Sequence, residues 1–175
     1  MQWLNDIIKK VTDLLPRVVI IAPDELGVRL LPGLHDGITV QELTPGWWLE
    51  WPVLIRIQTV RCKTQVKDLR PQSVWTADRQ DLTISGAIRY RVRSARKVLL
   101  EVWDYDQNIQ AVALGIIQQH VREHNLIDLD TQTIEAEVLK EVRKASEGWG
   151  LYIERVYITD IGATYNVRLL DNVPR

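Results

Sequence analysis

The chain has 175 residues, and its 22 Lys and Arg nearly balance its 23 Asp and Glu, giving a formal net charge of −1. This length suits one domain or two closely packed subdomains, and the balanced charge gives no reason to expect nucleic acid as a partner. A single cysteine, Cys62, excludes an internal disulfide and a zinc site built from cysteines alone.

Residues 1–15 predict an amphipathic helix that Pro16 ends. Its apolar positions follow helical spacing and are Trp3, Leu4, Ile7, Ile8, Val11, Leu14 and Leu15. This stripe is expected to dock on its own domain, on another protomer or on a membrane interface. Because the two Lys of the helix are matched by two Asp, strong binding to anionic lipid by the helix alone is not expected.

The N-terminus carries no signal-peptide pattern, and the apolar tract at residues 18–22 is far shorter than the ~20 residues of a membrane span. We therefore expect a cytoplasmic protein, or one peripherally associated with the cytoplasmic side of a membrane.

The first half of the chain reads as a series of strands with short connections. The expected strands cover residues 17–22, 25–31 and 38–43, then one long or bent strand over 53–66, with Arg70-Pro71-Gln72 as a turn. Residues 74–92 give the clearest pattern: a short strand, a polar turn at 78–81, and a strand with strict alternation. Its apolar face carries Leu82, Ile84, Ile88, Tyr90 and Val92.

A dense aromatic patch follows the Pro45-Gly46 turn, at Trp47, Trp48 and Trp51. One interpretation is a loop tip that contacts a membrane or a neighbouring protomer, because Trp favours the bilayer interface. The other is a strand whose alternate residues point into the core. The sequence alone does not decide between these two interpretations.

The second half changes to helical periodicity. Helices are expected over 95–102, 106–124 and from 130 or 131 to 146, followed by a strand over 151–161. The predicted class is therefore α+β. An antiparallel β-rich part (17–93) precedes a part with two to three helices packed on a sheet (94–162), and 163–175 form a tail.

A basic run is formed by Arg89, Arg91, Arg93, Arg96 and Lys97, with three guanidinium groups on one strand face. It could bind an anionic partner such as a lipid phosphate. The alternative, a solvated face neutralised by carboxylates on the next strand, is favoured by the neutral net charge.

The segment His120-Val121-Arg122-Glu123-His124 matches the H-x-x-E-H form of some zinc peptidases. A zinc hydrolase using His120, Glu123 and His124 is kept only as a remote alternative, because the match is short and histidines are common at helix ends. No catalytic residue, cofactor, metal or small-molecule substrate is otherwise expected.

Several motifs in order resemble the SPFH (Band 7) domain of stomatin, prohibitin and flotillin-like proteins. The matching segments are Pro23-Asp24-Glu25-Leu26-Gly27-Val28, then Pro45-Gly46-Trp47 to Trp51-Pro52, then Thr76-Ala77-Asp78 with Leu82-Thr83-Ile84 and Ile88-Arg89-Tyr90-Arg91-Val92, and finally Trp149-Gly150-Leu151 with Val156 to Ile161. The resemblance covers about residues 18–162. It implies a non-enzymatic scaffold that self-associates at a membrane surface and organises partner proteins or lipids, the alternative being a soluble assembly protein that keeps the fold without membrane binding.

Overall fold

The computed structural model of the protein describes residue 3 and residues 14–33, 37–52 and 54–163. Within these residues the strands are β1 (Arg17–Ile21), β2 (Glu25–Pro32), β3 (Ile38–Leu43), β4 (Gly46–Glu50), β5 (Arg56–Arg61), β6 (Gln65–Trp75), β7 (Asp81–Val92) and β8 (Leu151–Ala163). The helices are α1 (Ala95–Leu100), α2 (Tyr105–Glu123) and α3 (Thr131–Ala145), with a 3₁₀ turn at Leu126–Asp128. The predicted α+β class is confirmed.

The strands form three small sheets. One is the two-stranded ribbon β1–β4, and the other two have the orders β3-β2-β5 and β6-β7-β8. Strand β8 runs antiparallel to β7, because Ser85 pairs with Thr159 while Arg89, further along, pairs with Glu154.

The chain divides into two compact units, each assembled from three separate segments. Of the described residues, those up to 65, 90–106 and 146–152 belong to the first unit, and 66–89, 107–145 and 153–163 belong to the second.

The core of the first unit lies between the β3-β2-β5 sheet and α1. Val28, Val60, Val92, Ala95 and Val98 form its buried centre. Ser94 caps the start of α1, because its hydroxyl accepts from the Lys97 N–H, so the helix that covers this core has a defined start.

The second unit buries one face of each long helix. Helix α2 contributes Ile109, Ala113, Ile117 and Val121, and α3 contributes Ile134, Val138 and Val142. This spacing of four residues is one expected for a single face of a helix. The buried strand residues of the unit include Leu82, Ile84 and Ile88, as their alternation predicts.

Two expectations about the first half are wrong. Residues 53–66 do not form one strand: β5 spans Arg56–Arg61 and β6 begins at Gln65. Pro71 lies inside β6 instead of in a turn. The buried residues Leu69 and Val74 are five positions apart, so the alternation changes phase at the exposed pair Arg70-Pro71, as in a β-bulge, where proline is tolerated.

Candidate membrane- or protomer-contacting surface

The aromatic patch forms part of a β-ribbon and not a loop tip. Gly46–Glu50 is strand β4, paired antiparallel with β1 so that Ile20 lies opposite Trp47 and Val18 opposite Leu49. Residues opposite each other in an antiparallel pair place their side chains on the same face. The ribbon therefore brings two aliphatic residues of β1 beside two large apolar residues of β4.

This face of the ribbon is exposed. The exposed fractions are 58% for Val18, 60% for Ile20, 77% for Trp47 and 51% for Leu49. The opposite face is turned inward, since Ile21 is fully buried and Val19 and Trp48 are half-buried. We call the four exposed residues the ribbon face.

The three predicted contact tryptophans are thus separated by the strand. Trp47 lies on the ribbon face, whereas Trp48 lies on the other side, where its indole N–H donates to the Thr44 carbonyl at 2.9 Å. Trp51 follows the end of β4 and is partly exposed, in a turn where its carbonyl accepts from the Leu54 and Ile55 N–H groups.

The predicted N-terminal helix falls largely outside the described residues. Leu4, Ile7, Ile8 and Val11 are not described. Trp3 is helical and exposed, and Leu14 and Leu15 are exposed in the turn that leads into β1. The last two therefore add apolar surface immediately before the ribbon in the chain.

Arg89, the first residue of the basic run, has partners on β8. Its Nε lies 2.8 Å from the Glu154 carboxylate. The hydrogen bond with the Tyr157 side chain, and then the charge of Glu154, raise the pKa of the Arg89 guanidinium above its ordinary value. Its charge is thus offset by a neighbouring strand.

The next two arginines share an aromatic partner. The Arg93 guanidinium carbon lies 4.0 Å from the centre of the Tyr152 ring, and that of Arg91 lies 5.1 Å from it. Both distances suit cation–π contacts. Arg96 and Lys97 lie on α1 and are exposed. The basic run is therefore spread over a strand face and a helix, and three of its five cations have partners within the protein.

The H-x-x-E-H segment forms the last turn of α2 and the first residue after it. The rings of His120 and His124 are stacked with centroids 4.3 Å apart, as their spacing predicts, but the Glu123 carboxylate accepts from Gln119 at 3.0 Å. Among the residues that the structure describes, no group of three or more His, Cys, Asp or Glu side chains is arranged to hold a metal ion.

Sequence reasoning did not include Val18 and Ile20 in the candidate surface. Residues 18–22 read as an unbroken apolar run, in which no alternation shows which side chains face solvent. The pairing of β1 with β4 supplies that information, and it is a long-range contact that the sequence does not display.

Comparison with known proteins gives a consistent picture. The model of the SPFH domain / Band 7 family matches residues 19–168. The chain is 25% identical over 134 residues to an uncharacterised protein of Methanocaldococcus jannaschii, an alignment covering 75% of this chain and 67% of that one. It is 27% identical over 163 residues to an uncharacterised protein of Archaeoglobus fulgidus, covering 91% of this chain and 63% of that one.

Mouse stomatin is 25% identical over 119 residues, covering 67% of this chain and 42% of stomatin. The chain therefore spans less than half the length of that relative. Among the described residues, no helix combines the length and the apolar character needed to cross a bilayer. Since the family model covers most of the chain, the protein belongs to the SPFH domain / Band 7 family.

Proposed function

We propose that the protein is a non-enzymatic, membrane-associated scaffold that contacts a membrane surface through its ribbon face. The observation that carries this proposal is the exposure of Val18, Ile20, Trp47 and Leu49 on one side of a paired ribbon. Side chains of this size are normally buried in a monomeric protein, and a contiguous apolar patch commonly marks an interaction surface.

The chemistry of the ribbon face favours a lipid interface. Trp is enriched where a bilayer meets water, because its ring is apolar and its N–H remains available for a hydrogen bond. Aliphatic residues lie opposite and beside Trp47 and would enter the apolar side of that boundary. Membership in the same family as mouse stomatin supports a scaffold over a catalyst.

The charges of the ribbon are balanced, and this balance indicates which interaction should drive membrane binding. Arg17 lies opposite Glu50 at one end, and the ribbon face itself carries no charged residue. Apolar burial should therefore supply the affinity, and binding should depend little on anionic lipid or on salt.

The second candidate function uses the same surface. A soluble assembly protein would cover the ribbon face with a second copy of the chain, and homo-oligomers commonly bury such patches. The exposure of the ribbon face is compatible with both candidates, so the experiment must separate them.

Co-sedimentation with phosphatidylcholine vesicles provides that test. We expect the full chain to pellet, the double variant Ile20→Ser/Trp47→Ser to stay in solution, and the control Ile127→Ser to pellet like the wild type. Ile127 is a suitable control because it is 92% exposed but belongs to the 3₁₀ turn.

Equal pelleting of the wild type and the double variant would contradict the proposal, as would no pelleting of either. Light scattering during size exclusion then tests the second candidate. If the wild type is an oligomer without vesicles and the double variant is a monomer, the ribbon face is a contact between protomers.

A further inference from the structure

An apolar groove lies at the end of the β3-β2-β5 sheet, in the first unit. It consists of two adjoining cavities of about 350 and 490 Å³, which share Pro32, Leu54 and Ile55 in their walls. Both volumes fall within the range of about 300–1,000 Å³ that is usual for small-molecule sites. The other described residues that line the groove are Leu30, Leu31, Gly33, Ile38, Pro52 and Arg56.

Backbone hydrogen bonds hold both sides of this groove. On one side, the Trp51 carbonyl accepts from the Leu54 and Ile55 N–H groups at 2.9 and 2.7 Å. On the other side, the Gly33 N–H, just after β2, donates to the Gly37 carbonyl. A site whose walls are fixed before the ligand arrives loses less conformational entropy on binding. The groove therefore has the preformed walls that small-molecule sites usually have.

Arg56 determines which kind of ligand suits the groove. Among the described residues that line the two cavities it is the only charged one, and all the others are apolar. It is the first residue of β5, lies opposite Leu30 of β2 and is exposed. A guanidinium stays protonated and can donate two parallel hydrogen bonds to a carboxylate. The matching ligand therefore combines an aliphatic chain with one carboxylate at its end.

We propose that this groove binds one long-chain fatty acid, with its aliphatic chain along Pro32, Leu54 and Ile55 and its carboxylate on Arg56. Ile38 and Leu54 are 67% and 50% exposed in the protein alone, so the chain covers apolar surface that otherwise faces water. Burial of that surface supplies the affinity, and Arg56 selects the head group. The inference does not depend on membrane binding, because none of the four ribbon-face residues is among those that line the groove.

Isothermal titration calorimetry of the full chain with sodium myristate, below its micellar concentration and without vesicles, tests this site. We expect one myristate per chain. Laurate should bind roughly tenfold more weakly, as expected for two fewer buried CH₂ groups. Tetradecyltrimethylammonium bromide has a chain of the same length as myristate on a cationic head, and it should also bind at least about tenfold more weakly, because Arg56 repels it. Equal binding of the anion and the cation would overturn the assignment of a fatty acid.

Three variants locate the site. Arg56→Gln should weaken myristate binding by roughly tenfold, the usual effect of losing hydrogen bonds to a charged group. Leu54→Asp places a carboxylate in the groove and should weaken it by at least about tenfold. The matched control is Leu126→Asp, because Leu126 is 41% exposed and belongs to the second unit. It should bind myristate like the wild type, and circular dichroism establishes that each variant is folded.

The absence of myristate binding by the folded wild type would overturn the proposal, and so would unchanged affinity in Leu54→Asp or a loss caused by Leu126→Asp. Unchanged affinity in Arg56→Gln would overturn the role of Arg56. The ribbon face is tested with vesicles and the groove without them, so either proposal can fail while the other holds.

Discussion

Gly86 of β7 lies so close to the Tyr157 carbonyl oxygen of β8 that a β-carbon at Gly86 would be 2.5 Å from it. The obstacle is backbone, which cannot turn aside as a side chain can. We expect Gly86→Ala to lower the free energy of unfolding by about 1–3 kcal/mol, the usual cost of forcing an extra carbon into a packed site. Urea denaturation, monitored by circular dichroism, measures this change in the free energy of unfolding.

Gly115 provides the matched control for this change. It lies in α2, and a β-carbon there would meet nothing within 4 Å. Because glycine is a poor helix former, Gly115→Ala should stabilise the protein by about 0.5–1 kcal/mol. A Gly86→Ala variant as stable as the wild type would show that β7 and β8 can separate at this point without cost.

Tyr90 should make the protein sensitive to alkali. Its side chain is fully buried and its hydroxyl donates to the Asp106 carboxylate. Tyr90→Phe removes a hydrogen bond to a charged acceptor, and we expect a loss of about 1–3 kcal/mol in the free energy of unfolding at pH 7. Chemical denaturation of the two proteins provides the comparison.

Burial, and then the neighbouring Asp106, raise the pKa of Tyr90 above its ordinary value. The unfolded chain therefore loses this proton first, and the contribution of Tyr90 to stability decreases as the pH rises above about 10. The melting temperature should fall less steeply in Tyr90→Phe than in the wild type between pH 9 and 11. Parallel curves for the two proteins would contradict this assignment.

Asp130 should fix the start of α3. Its carboxylate accepts from the N–H and the hydroxyl of Thr133, at 3.0 and 2.9 Å, and these bonds lower the pKa of the carboxyl. Asp130→Ala should lower the melting temperature by about 2–4 °C, as expected for a lost N-cap, whereas Asp130→Ser should restore most of it.

Because the pKa of Asp130 is lowered in the folded state, the stability of the protein depends on pH. The carboxylate stabilises the folded state above about pH 4 and loses this effect as the pH falls through the lower folded-state value. Asp130→Ser keeps a capping oxygen but has no carboxyl to protonate. Its melting temperature should therefore change less than that of the wild type between pH 5 and 2.5, and an equal change would contradict the role of Asp130.

Helix α3 should protect the outer edge of β8 from pairing with other chains. Arg143 donates to the carbonyls of Ile153 and Glu154, and the Glu135 carboxylate accepts from the Ile158 N–H. Without these bonds the edge would offer free backbone groups to another strand. We expect Glu135→Ala/Arg143→Ala to associate increasingly with concentration in light scattering, while the control Lys140→Ala scatters like the wild type.

The sequence predicts best where the structural signal is local. The alternation from Leu82 to Val92 and the helical spacing from Ile109 to Val121 each depend on burial of one face, and both elements form as expected. The ends of α1 and α3 lie within two residues of the predicted ends, because Ser94 and Asp130 mark their starts with side chains that accept from the first turn.

Long-range pairing accounts for what the sequence did not predict. The ribbon face exists because Ile20 lies opposite Trp47, 27 positions later in the chain. Periodicity within either strand cannot reveal that relationship. Likewise, the contact between His120 and Glu137 depends on the packing of α3 beside α2, which the H-x-x-E-H pattern alone does not indicate.

Pro71 limits how this protein can assemble. It lies within β6, the outer strand on one side of the sheet whose opposite border is β8. Because proline has no N–H, a strand added beside β6 would find the backbone ladder interrupted there. Because α3 also covers β8, neither edge strand of this sheet favours pairing with a strand of a neighbouring copy. Copies of the protein should therefore join without extending the β6-β7-β8 sheet, which stays complete within its own subunit.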